Sequence, residues 1–323
     1  MKCLVTGATG TIGPALVSHL LDRGHQVRAF VRKLAIKRSL PSRIEIQDGD
    51  ITDSQSLRSA VKEIDVIFHL AAKLHIESPD PSLQSKYEQV NVQGTRLLLR
   101  AAREANIARM VFFSTASVYG TSEPGMMLNE QSQTNPITYY AQTKARAEEI
   151  VLSKIPAVVL RLAAVYGPVM KGNYPRLVNA LRRGHFFMIN RGRNRRTLIH
   201  VEDVCRAATL AAENAAAVGC IYNVTDGQIH SLKDIIEAIC KALGKKPPKL
   251  SLPAGLVRPV FGLVEDSLRL FGRESPLRRS TVDKITEDLA VSGERIQMEL
   301  GFRPQYDLTN GWRQVVQQLE DNN

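Results

Sequence analysis

The sequence predicts a doubly wound α/β fold, a parallel sheet with helices on both faces, together with a second, smaller α+β lobe. Three observations predict it. The chain opens on a short apolar run, Lys2–Thr6, that ends in a glycine-rich turn and a helix-spaced segment. Short apolar runs then alternate with helical patterns, as parallel βαβ units require. From Gly167 to Gly192 the pattern changes, and Pro, Gly and Arg become frequent.

The elements follow in order. Lys2–Thr6 reads as a buried strand because it is an apolar run without alternation. Ile12–Leu21 has helical spacing. Gln26–Val31 is a second strand and Arg43–Ile46 a third. Ser54–Val61 is helical, and Asp65–Leu70 is a fourth strand. Ser82–Asn106 is one long helix, with Val90, Leu97, Leu98 and Ala101 on one face. Arg109–Phe113 is a fifth strand, Ile137–Ser153 a long helix and Ala157–Leu162 a sixth strand. Beyond them, Val201–Glu213 is helical and Ile221–Val224 a short strand. Ser231 and Asp234 form a capping box that opens a helix to Leu243. Arg295–Leu300 and Asn310–Leu319 are short helices. Leu256–Phe271 is apolar but interrupted by Arg258, Pro259, Glu265, Asp266 and Arg269, and reads as a buried or interface helix rather than one lying on a membrane.

Composition narrows the function. Hydrophobic residues make up 44% of 323 and charged residues 23%, the balance of a folded globular chain. No run of about 20 apolar residues exists, so no integral membrane segment is expected. The chain enters its fold at once, so no secretory signal is expected and the reading is a cytoplasmic protein. Four cysteines without a CxxC pair fit free, buried thiols. The net charge of +11 suits anionic ligands. Its cations are scattered: Lys33, Lys37 and Arg38; Arg191, Arg193, Arg195 and Arg196; Arg278 and Arg279. Aromatic residues do not interleave with them, which argues against nucleic acid and for phosphate-bearing small molecules. His69 and His75 have no metal-ligand spacing with any acid or cysteine, so no metal site is expected.

Two constellations carry chemistry. Gly7-Ala-Thr9-Gly10-Thr11-Ile12-Gly13 lies between a strand and a helix, where a glycine turn lets a pyrophosphate approach backbone N–H groups and a helix N-terminus. The second strand ends in Arg32 and Lys33, where NAD-binding folds carry an acid for the ribose hydroxyls. A cation there favours the 2′-phosphate of NADP, with NAD the other possibility. Tyr140 and Lys144, four apart on one helix, share a face. A lysine cation beside a phenol should bring its pKa toward neutrality for acid–base work. Thr115, just past the fifth strand, can hydrogen-bond a substrate carbonyl, with Ser114 and Ser117 as neighbours that could compete.

With these motifs the sequence resembles the extended short-chain dehydrogenases/reductases, the group of nucleotide-sugar epimerases, dehydratases and reductases on a Rossmann fold. The matching stretches are Thr6–Gly13, Gly49-Asp-Ile51, His69-Leu-Ala-Ala72, Asn91–Thr95, Ser114–Gly120, Tyr140–Lys144, Val165–Pro168 and His200–Asp203. The resemblance implies Thr115, Tyr140 and Lys144 as catalytic residues. It implies Asp50 and Ile51 beside the adenine, Leu70, Ala71 and Ala72 along the cleft, and Asn91 as a support for the active-site backbone. It makes His200 and Asp203 structural. It also implies residues 1–166 as the dinucleotide-binding domain, with 193–228 packing back on it. Residues 167–192 and 229–323 would form the substrate lobe, and two copies would pair through the long helices.

A narrower likeness joins Gly167–Asn173 and Asn194–His200 to UDP-N-acetyl-hexosamine 4-epimerases and 4-keto-sugar reductases of surface-polysaccharide pathways. It implies Ser117, Asn173, Arg196 and Arg279 as substrate-binding residues and a nucleotide sugar as substrate. Pro276–Arg279 and Leu300–Pro304 are similar to 3β-hydroxysteroid dehydrogenases, the alternative reading. A non-catalytic dinucleotide-sensing module is the remote one, and should lack Tyr140 or Lys144.

Overall fold

The computed structural model describes residues 1–32, 40–74, 83–123, 125–170, 172–273, 275 and 279–321. β1 (Lys2–Thr6) leads through the glycine turn to α1 (Gly13–Asp22), β2 (Gln26–Val31) and β3 (Glu45–Asp48). α2 (Ser54–Ala60) returns the chain to β4 (Val66–His69). α3 (Gln84–Tyr87) runs through a π-helical turn, Glu88–Gln93, into α4 (Gly94–Glu104). β5 (Arg109–Thr115), α5 (Tyr139–Leu152) and β6 (Ala157–Leu162) complete the first half. The second half contains β7 (Ala164–Tyr166), α6 (Asn173–Arg183), β8 (Met188–Ile189), β9 (Arg195–Arg196), β10 (Leu198–His200) and α7 (Val201–Glu213). It continues with β11 (Ile221–Val224), β12 (His230–Ser231), α8 (Leu232–Ala242), β13 (Ser251–Leu252), α9 (Ala254–Leu270), α10 (Arg279–Thr286), α11 (Glu294–Leu300) and α12 (Leu308–Asp321).

Seven strands form one sheet in the order β11-β6-β5-β4-β1-β2-β3, every pair parallel. Side chains alternate across a strand, so β1 feeds two cores. Cys3 and Val5 join Leu16, Val17 and Leu20 of α1 and Val204 and Ala208 of α7 on one face. Leu4 joins Leu57 of α2, Leu98 and Leu99 of α4 and Ala147 of α5 on the other. Fully burying such side chains contributes roughly 1.5–3 kcal/mol each, which is why the central strands read as unbroken apolar runs. The strand order reverses between β1 and β4. In open α/β sheets that switch point opens the ligand crevice beyond the carboxyl ends of the strands.

The smaller lobe has its own core. Trp312 of α12, fully buried, stacks on Tyr166 at 4.8 Å and packs with Leu232, Ile235 and Ile239 of α8 and Val178 and Leu181 of α6. The Ser231–Asp234 capping box is present at the start of α8.

Four sequence expectations need correction. The third strand lies at Glu45–Asp48, not Arg43–Ile46. In this register the buried Arg28 lies opposite Glu45 in the ladder, and its guanidinium meets the Glu45 carboxylate at 2.7 Å. The helix expected at Ser82–Asn106 is broken by the π turn around Asn91, and its first residue lies outside the described residues. Cys220 is half-buried, whereas Cys3, Cys205 and Cys240 are buried as expected. α9 is only partly buried: Val257 and Gly262 pack inward, while Leu256, Val260, Leu263 and Leu270 are exposed. Among the described residues no helix is long and apolar enough to cross a membrane.

Candidate active site

The sheet gathers the expected cofactor residues at one edge, because each follows the carboxyl end of a parallel strand. The turn Gly7–Gly13 follows β1, Arg32 follows β2, Asp50 and Ile51 follow β3, Leu70–Ala72 follow β4, and Thr115 ends β5. Gly7 has φ of 73°, and a Cβ there would lie 2.7 Å from the Ala71 nitrogen. A Cβ on Gly13 would lie 2.4 Å from the Ala8 carbonyl. These two glycines therefore serve close packing. A Cβ on Gly10 would meet only the Gly7 oxygen, at 3.1 Å, so its outer side is open. Ile12, at the N-cap of α1, makes no side-chain cap, and the first turn holds no acid. Uncapped helix N–H groups beside an open glycine fit a pyrophosphate. Arg32 is exposed, Lys33 lies outside the described residues, and no acid ends β2.

Asp50 is held by Thr52, whose N–H and hydroxyl donate to Oδ1 at 2.9 and 2.7 Å. Ile51 packs against Gly94, where a Cβ would come within 3.0 Å of it. Beyond β4, the Ala71 N–H donates to Thr6 Oγ1 at 3.2 Å. Thr6 Oγ1 in turn lies 2.8 Å from His69 Nδ1, and His69 Nε2 lies 2.9 Å from Thr95 Oγ1. Thr95 donates to the Asn91 carbonyl at 2.7 Å, so it accepts from His69 and the ring is neutral, protonated on Nε2. Burial, reinforced by Lys144, pulls His69 down to about 3. The relay pins the cleft wall to the sheet.

Tyr140 and Lys144 occupy the first turns of α5, which Thr138 caps by accepting from the Ala141 N–H at 3.2 Å. Lys144 is buried, with Nζ 3.8 Å from the centroid of the Phe112 ring. Burial pulls its ammonium down to about 7, while the Glu148 carboxylate one turn on works the other way. Burial also pushes the Tyr140 phenol up to about 12. The expected draw of the phenol toward neutrality does not follow: burial is the cause that acts on it, and it acts upward. A phenol held protonated is a proton donor.

Asn91 explains the π turn. Its Oδ1 accepts from the Lys73 N–H at 2.7 Å, and its Nδ2 donates to Thr143 Oγ1 at 3.0 Å. Thr143 donates to the Tyr140 carbonyl at 2.8 Å. One buried amide thus joins the loop after β4 to the turn of α5 that carries Tyr140. Such π bulges occur frequently at functional sites. Thr115 caps the short helix after β5 by accepting from the Ser117 N–H at 3.2 Å, which leaves its own hydrogen for another partner. Ser114 is not a competitor, because its buried hydroxyl donates to Glu148. Ser117 is exposed.

Sequence reasoning missed Glu148 and Arg161. The pair is buried and bidentate, with Arg161 Nη2 2.7 Å from Glu148 Oε2, and Arg161 also lies over the Tyr119 ring at 4.8 Å. The available signal was spacing: Tyr140, Lys144 and Glu148 repeat every four residues.

The expected substrate residues are less closely gathered. Arg196, on β9, donates to the Lys284 carbonyl. It also lowers the Tyr174 phenol and the Glu287 carboxyl, although burial raises both overall. Asn173 is exposed at the start of α6, next to Tyr174. Arg279 turns to the carboxylates of α9 instead, with Asp266 Oδ1 at 3.1 Å and Glu265 Oε2 at 3.7 Å. Arg195 is structural, bridging Asp288 and the carbonyls of Glu123 and Met126. His200 and Asp203 are structural as well: His200 stacks on Tyr306 at 3.9 Å, and Asp203 accepts from the Gln305 and Tyr306 N–H groups. Among the described residues no cluster of His, Cys, Asp and Glu could hold a metal.

The sequence profile described as the NAD dependent epimerase/dehydratase family matches residues 3–225. The chain belongs to this family. It is an enzyme of the extended short-chain dehydrogenase/reductase type. It is 30% identical to a 2-alkyl-3-oxoalkanoate reductase of Stenotrophomonas maltophilia, over 98% of each chain. It is 29% identical to a 3 beta-hydroxysteroid dehydrogenase/Delta 5-->4-isomerase of Mycobacterium tuberculosis, over 94% of this chain and 86% of the other. It is 27% identical to a UDP-glucose 4-epimerase of Vibrio cholerae, over 99% and 96%. A UDP-glucose 4-epimerase from Thermus thermophilus, solved with NAD, superimposes with a TM-score of 0.77 at 25% identity, over 99% of each chain.

Proposed function

We propose that this family member interconverts an alcohol and a ketone at C4 of a nucleotide-activated sugar, as a 4-epimerase or 4-keto-reductase, with Tyr140 as the proton-transfer group. The observation that carries the reading is the placement of half-buried Tyr140 and buried Lys144 one turn apart at the start of α5, in a turn that Asn91 and Thr143 tie to the loop after β4. When bound, the nicotinamide dinucleotide supplies or accepts the hydride. Tyr140 then donates its phenol proton to the developing alkoxide, and in the reverse direction the phenolate takes the alcohol proton. Thr115 donates to the same oxygen and orients it. Lys144 adds positive charge beneath the phenol and binds the cofactor ribose. Gly7, Thr9, Gly10, Thr11, Ile12 and Gly13 hold the pyrophosphate. Arg32 makes NADP the preferred cofactor, since a guanidinium gives a phosphate charge-assisted hydrogen bonds.

The substrate class rests on Arg196, with Asn173 and Ser117 as further contacts. The Arg196 guanidinium has five N–H donors, and those not given to the Lys284 carbonyl can take a diphosphate. The Vibrio cholerae and Thermus thermophilus relatives are UDP-glucose 4-epimerases, which supports a nucleotide sugar. A second reading, reduction of an apolar ketone, is favoured by the relatives at 29–30% identity, which act on 3-oxoalkanoates and 3β-hydroxysteroids. Incubation with NADPH or NAD and a panel of UDP-sugars and UDP-4-keto-sugars tests the proposal, with products read by mass and NMR. Turnover of a sugar nucleotide supports it. Turnover of a hydroxysteroid or 3-oxoalkanoate alone replaces it with the second reading.

A further inference from the structure

An ordinary surface helix buries its apolar stripe; α9 packs Val257 and Phe261 inward but leaves a second set of apolar residues in water. Its charges Arg258 and Asp266 are exposed and paired along one flank. Arg258 pairs with Asp283 of α10 at 2.7 Å, and Asp266 and Glu265 hold Arg279. Val257 is buried and Phe261 packs near Val282 and Ile189. The opposite face shows Leu256, Val260, Leu263 and Leu270, which are 65%, 56%, 68% and 86% exposed, and Phe271 just past the helix end is 79% exposed. The spacing of four, three and seven keeps the four helical residues on one line, about 21 Å long at 1.5 Å per residue. Exposed Ser267 falls on this line between Leu263 and Leu270, and the apolar residues on either side of it offer a contact for something apolar.

We propose that α9 seats the protein on an anionic membrane surface, with this line in the headgroup–acyl boundary. Charge selects the occupant. Arg269 and Arg273 bracket Leu270 and Phe271, both are exposed, and neither forms an ion pair with a described residue. Arginines in that position bury their stems against apolar groups and keep their heads among lipid phosphates. The whole chain carries +11, so an anionic bilayer attracts it while a second copy repels it. The inference departs from the sequence reading of α9 as a buried or interface helix, and it is independent of the sugar assignment.

The test is co-sedimentation of the full chain with vesicles of phosphatidylcholine alone or with phosphatidylglycerol. The wild type should pellet with the anionic vesicles and be released as salt shortens the screening length. The Leu263→Ser/Leu270→Ser variant should lower the partition coefficient about tenfold or more, each lost aliphatic side chain weakening insertion. Arg269→Gln/Arg273→Gln should weaken binding only to anionic vesicles. Met298→Ser, exposed on α11 far along the chain, should change nothing. The proposal is overturned if the wild type stays in the supernatant with anionic vesicles, or if the leucine variant binds as tightly. A wild-type dimer that the leucine variant converts to monomer, with no vesicle binding, would give the surface to a second copy instead.

Discussion

The cofactor edge of the sheet and the smaller lobe hold their functional residues by different means. At the edge, each residue ends a strand whose neighbours are fixed on both sides, and a second bond locks it: Asn91 to Thr143, Thr6 to His69, Asp50 to Thr52. In the lobe, Arg196 lies on a two-residue strand and Asn173 on an exposed helix start. The edge is therefore rigid and tells what chemistry is done. In the proposed function, the lobe supplies the contacts that select the substrate.

The sharpest way to break the edge is Tyr140→Phe. Loss of one positioned proton should cost about 10²–10⁴-fold in turnover while dinucleotide affinity stays nearly intact. Full kcat in the variant, measured with its best substrate, would remove Tyr140 from the mechanism. Lys144→Ala should lower both turnover and cofactor affinity, because it serves both.

Glu148→Gln tests whether the edge depends on the pair beneath it. Breaking a buried ion pair by removing one partner is expected to cost about 3–5 kcal/mol of stability, read by denaturant titration. An exposed partner of the lobe, Asp266→Asn, should leave stability nearly unchanged, because water and salt screen its ion pair. Equal losses would erase the contrast between the two regions.

Acid should loosen the edge through His69. Its unfolded value is 6.5 and burial holds it at about 3 in the folded chain. Between those values the unfolded state binds more protons, so the stability present above pH 6.5 is lost as pH falls. From pH 6.5 to 4.5 the loss should be about 2 kcal/mol. His69→Gln should flatten the dependence of Tm on pH in that window, leaving the smaller slope from His200, which burial lowers to about 4. An unchanged slope would mean that His69 is not buried neutral.

Arg32→Asp addresses the rim of the edge. The wild type should bind NADPH more tightly than NADH, and the variant should reverse the order by tenfold or more, since a charged hydrogen bond contributes roughly 1.5–3 kcal/mol. Titration of both dinucleotides into both proteins decides it. Equal wild-type affinities would point to an epimerase that retains NAD.

Much of this was legible in the sequence. The parallel strands carry apolar runs because both their faces are buried, and the Gly7–Gly13 turn and the Tyr140–Lys144 spacing are local patterns. What escaped was non-local. The register of β3 brings Glu45 opposite Arg28, and the π turn depends on Asn91 reaching Lys73 and Thr143. The upward shift of Tyr140 depends on desolvation, which no i,i+4 spacing reports. Arg279 looked free for a substrate because its partners, Glu265 and Asp266, meet it only once α9 and α10 pack together. The exposed line on α9 is invisible in composition, since a stripe of leucines reads alike whether covered or open.

The central claim, that the cleft takes a diphosphate-bearing sugar, is tested most directly by calorimetric titration of UDP into the wild type and into Arg196→Ala. The account predicts saturable UDP binding by the wild type. It predicts that the variant binds about tenfold to a hundredfold more weakly, with NADP(H) affinity unchanged. No binding of UDP or any other nucleoside diphosphate by the wild type, alongside turnover of a hydroxysteroid or 3-oxoalkanoate, would contradict it.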